Sequence, residues 1–427
     1  MLKTLSLLDS LPTLDYELKQ GFLPPVAAIS LCQDSKTILK PIVKKGDKVQ
    51  EGQCIGFDEG ISIHASIPGE VVDFVSLPMI NRKKTLSVLI KMDGSFTHLG
   101  RTRKNTAFEE IIAVNSVVTQ RLAQNGVINT FDKPRSLAEQ IKTIKNQDDT
   151  VLFVRLFDED PSVITDTFIT QQYFSKIFEA SALLANEIKA QTIYFFHVGT
   201  VQKPTDDLFE KYFKGRTVDF VTISNTKYPF GSLSELTRQI KKLNKSVKKN
   251  DAVLAIDATT ALGIYEAVVE NKPILDKIIT VSGDALVKNL LIKVRLGTSL
   301  RKIIDECGGF ITEPKKIVVN GLIKGKAISF LDTPITKDIK SITIVSKKRF
   351  PVQEQYPCIR CGRCYYNCPE KIRPLDFILV HKKQEKLSDK MIEDLKKCTA
   401  CGACNSGCSS RIPLYQIIEQ YKEIYEK

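Results

Sequence analysis

The chain has 427 residues, of which 43% are hydrophobic and 26% charged, and its formal net charge at pH 7 is +13. These values are ordinary for a globular protein of two to four domains, and no run of about 18 apolar residues predicts a membrane-spanning helix. Asp9 and Pro12 interrupt the N-terminal segment, which has no signal-peptide core, so we expect a cytoplasmic protein. The positive residues are scattered without a long basic arm. We therefore expect no nucleic-acid partner, and two interpretations stay open: a solvated lysine-rich surface, or docking to an anionic membrane face.

Short strands separated by turns dominate residues 24–95. The turns contain Gly46–Asp47 and Pro68–Gly69, a pattern that predicts a small β-sandwich. The pattern resembles lipoyl and biotinyl carrier domains, which present a modified lysine at a hairpin tip. The corresponding hairpin, 57–62, has no lysine, so we expect no swinging-arm role. For His64 we expect a structural role, with a ligand or acid–base role as the alternative.

Residues 110–270 alternate apolar strands with amphipathic helices. Buried strands are predicted over 151–157, 192–196 and 252–256, and helices over 173–188 and 232–243. This alternation predicts an α/β layer with a largely parallel sheet. Such folds bind nucleotides at the carboxyl ends of their strands, although the fold does not by itself establish function.

Residues 276–346 follow a different order, in which strands surround a single helix. The unit begins with the segment 278–284 and continues with strands over 316–321 and 341–345, and the helix lies before Glu306–Gly309. Strand, helix and strand in about 70 residues predict a ubiquitin-like β-grasp unit. No cluster of titratable residues stands out there, so packing or docking is the expected role.

Eight of the eleven cysteines fall between Cys358 and Cys408, in two motifs of the form C-x2-C-x2-C-x3-C. In two-cluster iron–sulfur proteins, three cysteines of such a motif hold one [4Fe–4S] cluster and the fourth holds the other. One predicted quartet is Cys358, Cys361, Cys364 and Cys408, and the other is Cys398, Cys401, Cys404 and Cys368. Zinc is the rival metal, but zinc sites use four ligands in pairs and fit two such quartets poorly.

The remaining features of this region predict a helical module. Apolar residues recur at helical spacing between the motifs and again over Leu414–Tyr425. We therefore expect an all-helical ferredoxin-like domain. The three isolated cysteines are interpreted as small buried apolar residues; they are Cys32, Cys54 and Cys307.

The order of these units resembles the RnfC subunit of the Rnf membrane-bound, ion-pumping oxidoreductase. The matching segments are Gly46–Asp47, 64–66, Tyr228–Gly231, 260–267, 280–283, 307–309 and the two cysteine motifs. The resemblance implies a barrel-sandwich domain (1–100), an α/β domain like the FMN- and NADH-binding flavoprotein of complex I (105–272), an SLBB-like β-grasp domain (276–346) and a two-cluster ferredoxin domain (350–427).

The same resemblance implies a role and a location. The subunit would sit peripherally on the cytoplasmic side of the membrane, without a transmembrane segment. It would relay electrons between a soluble partner, which is ferredoxin, flavodoxin or NADH, and membrane subunits that carry flavin. The whole complex is an ion-translocating oxidoreductase, and no residue of this chain is assigned as catalytic.

One departure from the family concerns FMN. Members that handle NADH through FMN carry a glycine-rich phosphate loop, because glycine lets backbone N–H groups approach a phosphate. The corresponding stretch here, Asn125–Ser136, contains one glycine. It is closer in this respect to the A subunit of the sodium-pumping NADH:quinone reductase. We therefore expect no FMN and assign no FMN- or NADH-binding residue.

Three alternatives stay open. The chain could take electrons from NADH with FMN held by an atypical loop. It could be a scaffold whose clusters only brace the fold, or a cobalamin-reducing relative.

Overall fold

The computed structural model describes residues 2–3, 17–33, 38–58, 60–80, 84–93, 105–114, 116–144, 150–201, 203–243, 252–348 and 354–425. Most of the N-terminal stretch, in which the sequence shows no signal-peptide core, lies outside these ranges. The outermost residues of the predicted ferredoxin domain, 350–353 and 426–427, also lie outside them. Among the described residues, no helix is both long enough and apolar enough to cross a bilayer.

The N-terminal unit is built from short antiparallel strands. The strands of this region are β1 (Leu2–Lys3), β2 (Leu18–Gln20), β3 (Val26–Ser30), β4 (Lys48–Val49), β5 (Cys54–Asp58), β6 (Ile61–His64), β7 (Gly69–Pro78) and β8 (Lys84–Met92). Strands β3, β8, β7 and β4 form one sheet in that order, and β5 pairs with β6. Alternate residues such as Ile29, Ile63 and Val88 fill the core between the two sheets. The predicted sandwich is therefore present.

The middle unit contains a parallel sheet flanked by helices. Its elements are α1 (Phe108–Ile112), α2 (Val117–Gln124), β9 (Ile128–Asn129), β10 (Arg135–Ser136), α3 (Leu137–Ile144), β11 (Thr150–Arg155), α4 (Thr165–Glu187), β12 (Thr192–His197), α5 (Asp206–Phe213), β13 (Thr217–Thr222), β14 (Lys227–Tyr228), α6 (Leu233–Lys242), β15 (Ala252–Asp257) and α7 (Ala258–Val268). The sheet order is β13, β12, β11, β15, with all pairs parallel. The strand order reverses between β11 and β15, and the carboxyl ends of these two strands define a crevice.

The third unit is a mixed sheet around one helix. Its elements are β16 (Asp276–Ser282), β17 (Leu290–Arg295), α8 (Leu300–Glu306), β18 (Pro314–Val319), β19 (Lys326–Ile328) and β20 (Ser341–Ser346). The sheet order is β19, β18, β20, β16, β17, β2. The five strands of the unit itself thus follow the order expected of a β-grasp. The sixth strand, Leu18–Gln20, comes from the segment predicted as the first domain and pairs in parallel with Leu291–Lys293.

The C-terminal unit is helical, as predicted. Its helices are α9 (Arg363–Asn367), α10 (Pro374–Lys383), α11 (Asp389–Lys397), α12 (Ala403–Ser406) and α13 (Leu414–Tyr425). Two small apolar clusters hold them together, one around Phe377, Leu395 and Ile418 and one around Ile378 and Leu414. The cysteine motifs lie at the starts of the short helices α9 and α12. The helices therefore serve mainly to position the cysteines.

Candidate metal centre

The two cysteine motifs have the same backbone path, forty residues apart. Left-handed φ angles occur at matching positions: Arg360 and Ala400 (53° and 52°), Gly362 and Gly402 (74° and 72°), Lys371 and Arg411 (53° and 55°). A left-handed residue reverses the chain sharply and turns successive N–H groups toward one side. The repeated turns therefore wrap each motif around a common centre in the same way.

The second predicted quartet surrounds one cavity. Cys368, Cys398, Cys401 and Cys404 all line it, together with Pro369, Ile372 and Tyr415. Cys368 therefore leaves its own motif and joins the three cysteines of the other. Burial raises the pKa of Cys398 to about 11, and it also raises the pKa of Cys404. As free thiols these groups would stay protonated at neutral pH, and a bound metal would have to displace the protons.

The first predicted quartet lies nearer the surface. Cys358 and Cys361 are exposed, whereas Cys364 and Cys408 are partly buried. Cys364 has both Cys358 and Cys408 as electrostatic neighbours; burial is the largest cause that raises its pKa, and both neighbours add to the shift. The structure thus brings Cys408, from the second motif, to the first motif.

Backbone N–H groups point at several of the sulfur atoms. The N–H groups of Arg360, Ala400 and Ile412 donate to the Sγ atoms of Cys358, Cys398 and Cys408, each at 3.4 Å. Such donors stabilise thiolate sulfur and help to set the potential of an iron–sulfur cluster. No three His, Cys, Asp or Glu side chains in the described ranges meet at one point that could hold a single metal ion.

The second motif is packed against the rest of the protein. The buried Tyr228 hydroxyl donates to the Cys401 carbonyl at 2.6 Å, and the Tyr415 hydroxyl donates to the Lys324 carbonyl at 2.9 Å. A Cβ atom added at Gly402 would lie 2.7 Å from the carbonyl oxygen of Ile323. The second quartet is therefore fixed between the middle unit and the β18–β19 turn.

Charged side chains of the chain itself cluster at the carboxyl ends of β11 and β15. This buried charge cluster consists of Arg155, Asp158, Glu159, Asp160, Asp166, Asp257, Lys324 and Lys340. Lys340 Nζ lies 2.6 Å from Asp166 Oδ2 and 2.5 Å from Asp257 Oδ2. Lys324 Nζ lies 2.7 Å from Glu159 Oε2. The buried Lys277 is a fourth cation near Asp166 and Asp257, so five carboxylates face four cations and one negative charge is left in excess.

The pKa values in the cluster reflect burial and these neighbours. Burial, reinforced by repulsion from Asp166, raises the pKa of Asp158 to about 6. Burial acts in the same direction on Asp257, but attraction by Lys340 and Arg155 outweighs it and lowers the pKa of Asp257. Burial would likewise raise the pKa of Glu159, yet attraction by Lys324 and Arg155 lowers it. Near pH 7 the cluster therefore keeps its excess of negative charge.

The isolated residues singled out in the sequence do not join a site. Cys32 and Cys54 are partly buried and Cys307 is fully buried, where burial raises its pKa to about 12. His64 is buried in strand β6. Cys307 is therefore buried as expected, whereas Cys32 and Cys54 are less buried than the sequence suggested.

Comparison with known proteins adds an independent result. Residues 12–95 match the RnfC barrel sandwich hybrid domain, and residues 357–412 match the 4Fe-4S dicluster domain. The C subunit of the ion-translocating oxidoreductase complex of Rhodobacter capsulatus is 26% identical over 378 residues, which cover 85% of this chain and 71% of that protein. The chain is similar to RnfC over most of its length.

Two further similarities accompany this one. The C subunit of the Na(+)-translocating ferredoxin:NAD(+) oxidoreductase complex of Acetobacterium woodii is 27% identical over 349 residues, which cover 79% of this chain and 76% of that protein. A crystal structure of NAD+-reducing [NiFe]-hydrogenase in its H2-reduced state aligns with a TM-score of 0.48 and 13% identity, over 74% of this chain and 64% of that one. The resemblance to RnfC inferred from the sequence is confirmed, and an iron–sulfur role in electron transfer is supported.

The sequence patterns did not predict the long-range contacts of the buried charge cluster and the second cysteine motif. Lys340 and Asp257 lie 83 residues apart, and Tyr228 and Cys401 lie 173 residues apart. No local pattern marks such pairs. The available signal was the run Asp158–Asp160 directly after a buried strand, since the ends of parallel strands collect functional or charged residues.

Proposed function

We propose that this chain is the electron-transfer subunit of an Rnf-type ion-translocating oxidoreductase and relays electrons through two [4Fe–4S] clusters. The single observation that carries the proposal is the cavity that Cys368 of the first motif shares with Cys398, Cys401 and Cys404 of the second, in a chain similar to RnfC. The subunit works at the cytoplasmic face of the membrane as a peripheral component. It connects a soluble redox protein, ferredoxin or flavodoxin, with membrane subunits that carry flavin.

The ligands divide across the motifs. Cys358, Cys361, Cys364 and Cys408 hold one cluster, and Cys368, Cys398, Cys401 and Cys404 hold the other. The shared cavity of the second quartet and the proximity of Cys408 to Cys364 support this division. When bound, each cluster supplies a reversible one-electron site.

The protein residues set the environment of the two clusters. Backbone N–H groups such as those of Arg360 and Ala400 stabilise thiolate sulfur at equivalent places in the two motifs. Around the second quartet, Ile372, Tyr415 and Ile418 exclude water, while Cys358 and Cys361 leave the first quartet open. Because exposure and hydrogen bonding influence potential, the two clusters should differ in potential.

The middle unit supports a relay without bound FMN. In a doubly wound sheet, a nucleotide phosphate would sit at the carboxyl ends of β11 and β15. Here Lys340 is held between Asp166 and Asp257, and the Arg155 guanidinium lies 4.3 Å from the centre of the Phe131 ring. The buried charge cluster carries an excess of negative charge, which repels a phosphate dianion. These residues therefore disfavour an FMN phosphate at the ends of β11 and β15.

The proposed domain boundaries are 1–100, 105–272, 276–346 and 350–427, with Leu18–Gln20 of the first domain added to the sheet of the third. The β-grasp unit positions the second motif, since its β18–β19 turn contacts Gly402 and Tyr415. In this arrangement the middle and β-grasp units both contact the second cysteine motif.

The cross-motif assignment is tested with single cysteine substitutions. Cys408→Ser should leave the same residual EPR spectrum of the reduced chain as Cys361→Ser, since both remove a ligand of one cluster. Cys368→Ser should match Cys401→Ser. The control is Cys307→Ser, which should keep both signals because Cys307 lies apart from the motifs. A Cys408→Ser spectrum that matches Cys401→Ser would show that each motif holds its own cluster.

A further inference from the structure

We propose that the exposed side of the first cysteine motif is a docking surface for a soluble, acidic protein electron carrier. This inference rests on the proposed function, because it specifies the partner and the place where that partner binds. The surface, called the first-motif face, consists of Tyr356, Ile359, Arg360, Arg363, Tyr366 and Arg411.

The two quartets differ in how far they are covered. Cys358 and Cys361 are exposed, whereas Cys368 and Cys401 are each 8% exposed. Electron transfer between proteins weakens steeply with distance, so a carrier must approach the cluster that lies nearest the surface. The first-motif face is the side of the module that offers this approach.

The face is continuous across the two motifs. The backbone N–H of Tyr356 donates to the Ser410 carbonyl at 3.0 Å, and Arg363 Nη1 donates to Ser409 Oγ at 3.0 Å. These contacts place Tyr356 and Arg363 beside Arg411. Residues of both motifs therefore contribute to this side of the module.

Large apolar side chains on this face project into solvent. The exposed fractions are 54% for Tyr356, 67% for Ile359 and 70% for Tyr366. Single exposed apolar residues are common on proteins. Three of them around exposed cysteines form the apolar centre that a protein interface requires.

Cations surround this apolar centre. Arg360, Arg363, Lys371 and Arg411 are exposed. Among the described residues, no carboxylate oxygen lies within 4.0 Å of the charged nitrogens of these four, whereas Arg373 nearby is paired with Asp376 at 3.4 Å. Exposed cations that lack a carboxylate partner attract an acidic protein over a distance of about one Debye length and raise its association rate.

The internal repeat shows that these side chains are not needed to hold a cluster. At the equivalent positions of the second motif, forty residues later, stand Thr399 for Ile359, Ala400 for Arg360, Ala403 for Arg363 and Ser406 for Tyr366. The second motif keeps the same backbone angles with these small residues while it packs against the middle unit. The cationic and aromatic residues of the first motif therefore serve a contact outside the chain.

The balance of charge and apolar surface favours a transient partner. Permanent subunit interfaces are large and depleted of charged residues at their centres, whereas redox encounters are small and electrostatically steered. Two arginines lie within the first motif, beside its exposed cysteines. An acidic one-electron carrier protein fits these features, whereas a permanently docked membrane subunit does not.

The test uses the full chain with both clusters assembled and an oxidised, acidic [2Fe–2S] ferredoxin as the probe. Binding is measured by isothermal titration calorimetry at low and at physiological ionic strength, without electron transfer. The double charge reversal Arg360→Glu with Arg363→Glu is compared with Lys386→Glu and Lys390→Glu. This control changes the net charge equally but lies beyond the far end of the helix Pro374–Lys383, which is about 15 Å long.

We expect the arginine reversal to raise the dissociation constant by about tenfold or more at low ionic strength, and the lysine reversal by less than about threefold. Arg411→Glu, which lies outside the cysteine motifs, should raise it in the same way if the double variant loses its iron. Equal weakening in the arginine and lysine variants, or no binding by the unaltered chain at low salt, would overturn the docking site. Clusters that dithionite cannot reduce would instead contradict the proposed function, so the two failures are distinguishable.

Discussion

Replacing Tyr228 with phenylalanine should loosen the second cysteine motif while leaving the remaining packing unchanged. The fully buried Tyr228 hydroxyl donates to the Cys401 carbonyl at 2.6 Å. Phenylalanine keeps the ring but leaves this carbonyl without its donor, at a cost of about 1 to 3 kcal/mol. Because about 1.4 kcal/mol corresponds to a factor of ten, local opening of the motif should become about 5 to 150 times more frequent.

Hydrogen–deuterium exchange with mass spectrometry, under anaerobic conditions with the clusters assembled, measures this opening. Amides in 398–415 should exchange faster in the Tyr228→Phe variant. The matched control is Tyr365→Phe, because Tyr365 is 40% exposed and its hydroxyl has no hydrogen bond within the described part of the chain. Exchange of 398–415 that is equal in the two variants would refute the view that Tyr228 anchors the second motif.

Three further predictions each concern the substitution of one residue. Gly402→Ala should lower the thermal unfolding midpoint more than Gly362→Ala. Both glycines have a left-handed φ, but only at Gly402 would the added Cβ meet a backbone oxygen, that of Ile323, at 2.7 Å. Equal midpoints for the two variants would contradict this packing. Lys340→Met should cost about 3 to 5 kcal/mol in urea unfolding, because two buried carboxylates lose their cation; a cost below about 1 kcal/mol would argue against the buried charge cluster. Burial lowers the pKa of Lys277 from 10.5 to about 8, so as the pH rises the native state releases this proton before the unfolded state does. The free energy of unfolding should therefore rise by up to about 3 kcal/mol between pH 8 and 10.5. In urea unfolding at these two pH values, Lys277→Met should lack that rise.

The sequence predicted the cysteine module well because ligand spacing is local. Three of the four predicted ligands in each quartet lie within seven residues, and the ferredoxin pattern predicts that the fourth is exchanged between the motifs. The turn at Gly46–Asp47 was equally local, since Gly46 adopts a left-handed φ of 90°.

The start of one helix was predicted less well. The periodicity placed a helix over 173–188, but the helix begins at Thr165 and is interrupted at Tyr173, with φ −126° and ψ 27°. Asp158, from the preceding loop, accepts hydrogen bonds from the N–H groups of Asp166 and Thr167 and fixes this earlier start. The predicted helix therefore lacked its first turns because their cap lies eight residues upstream.

Long-range pairings were beyond the sequence patterns. Strand Leu18–Gln20 lies in the segment predicted as the first domain, but it completes the sheet of the β-grasp unit. The single glycine in Asn125–Ser136 suggested a reduced phosphate site. It gave no sign that Lys340 would lie between Asp166 and Asp257 at the ends of the strands. Such contacts depend on the tertiary fold and leave no periodic signal.

The most direct test of the central claim is anaerobic purification of the full chain, with iron, sulfide and flavin counted on one sample and a dithionite titration followed by EPR. A pure electron relay predicts about eight irons, no flavin and two reducible [4Fe–4S] signals within the range of roughly −700 to +450 mV. About eight irons with one FMN, and rapid reduction by NADH, would contradict the account. That result would mean that the middle unit is the point where NADH delivers its electrons.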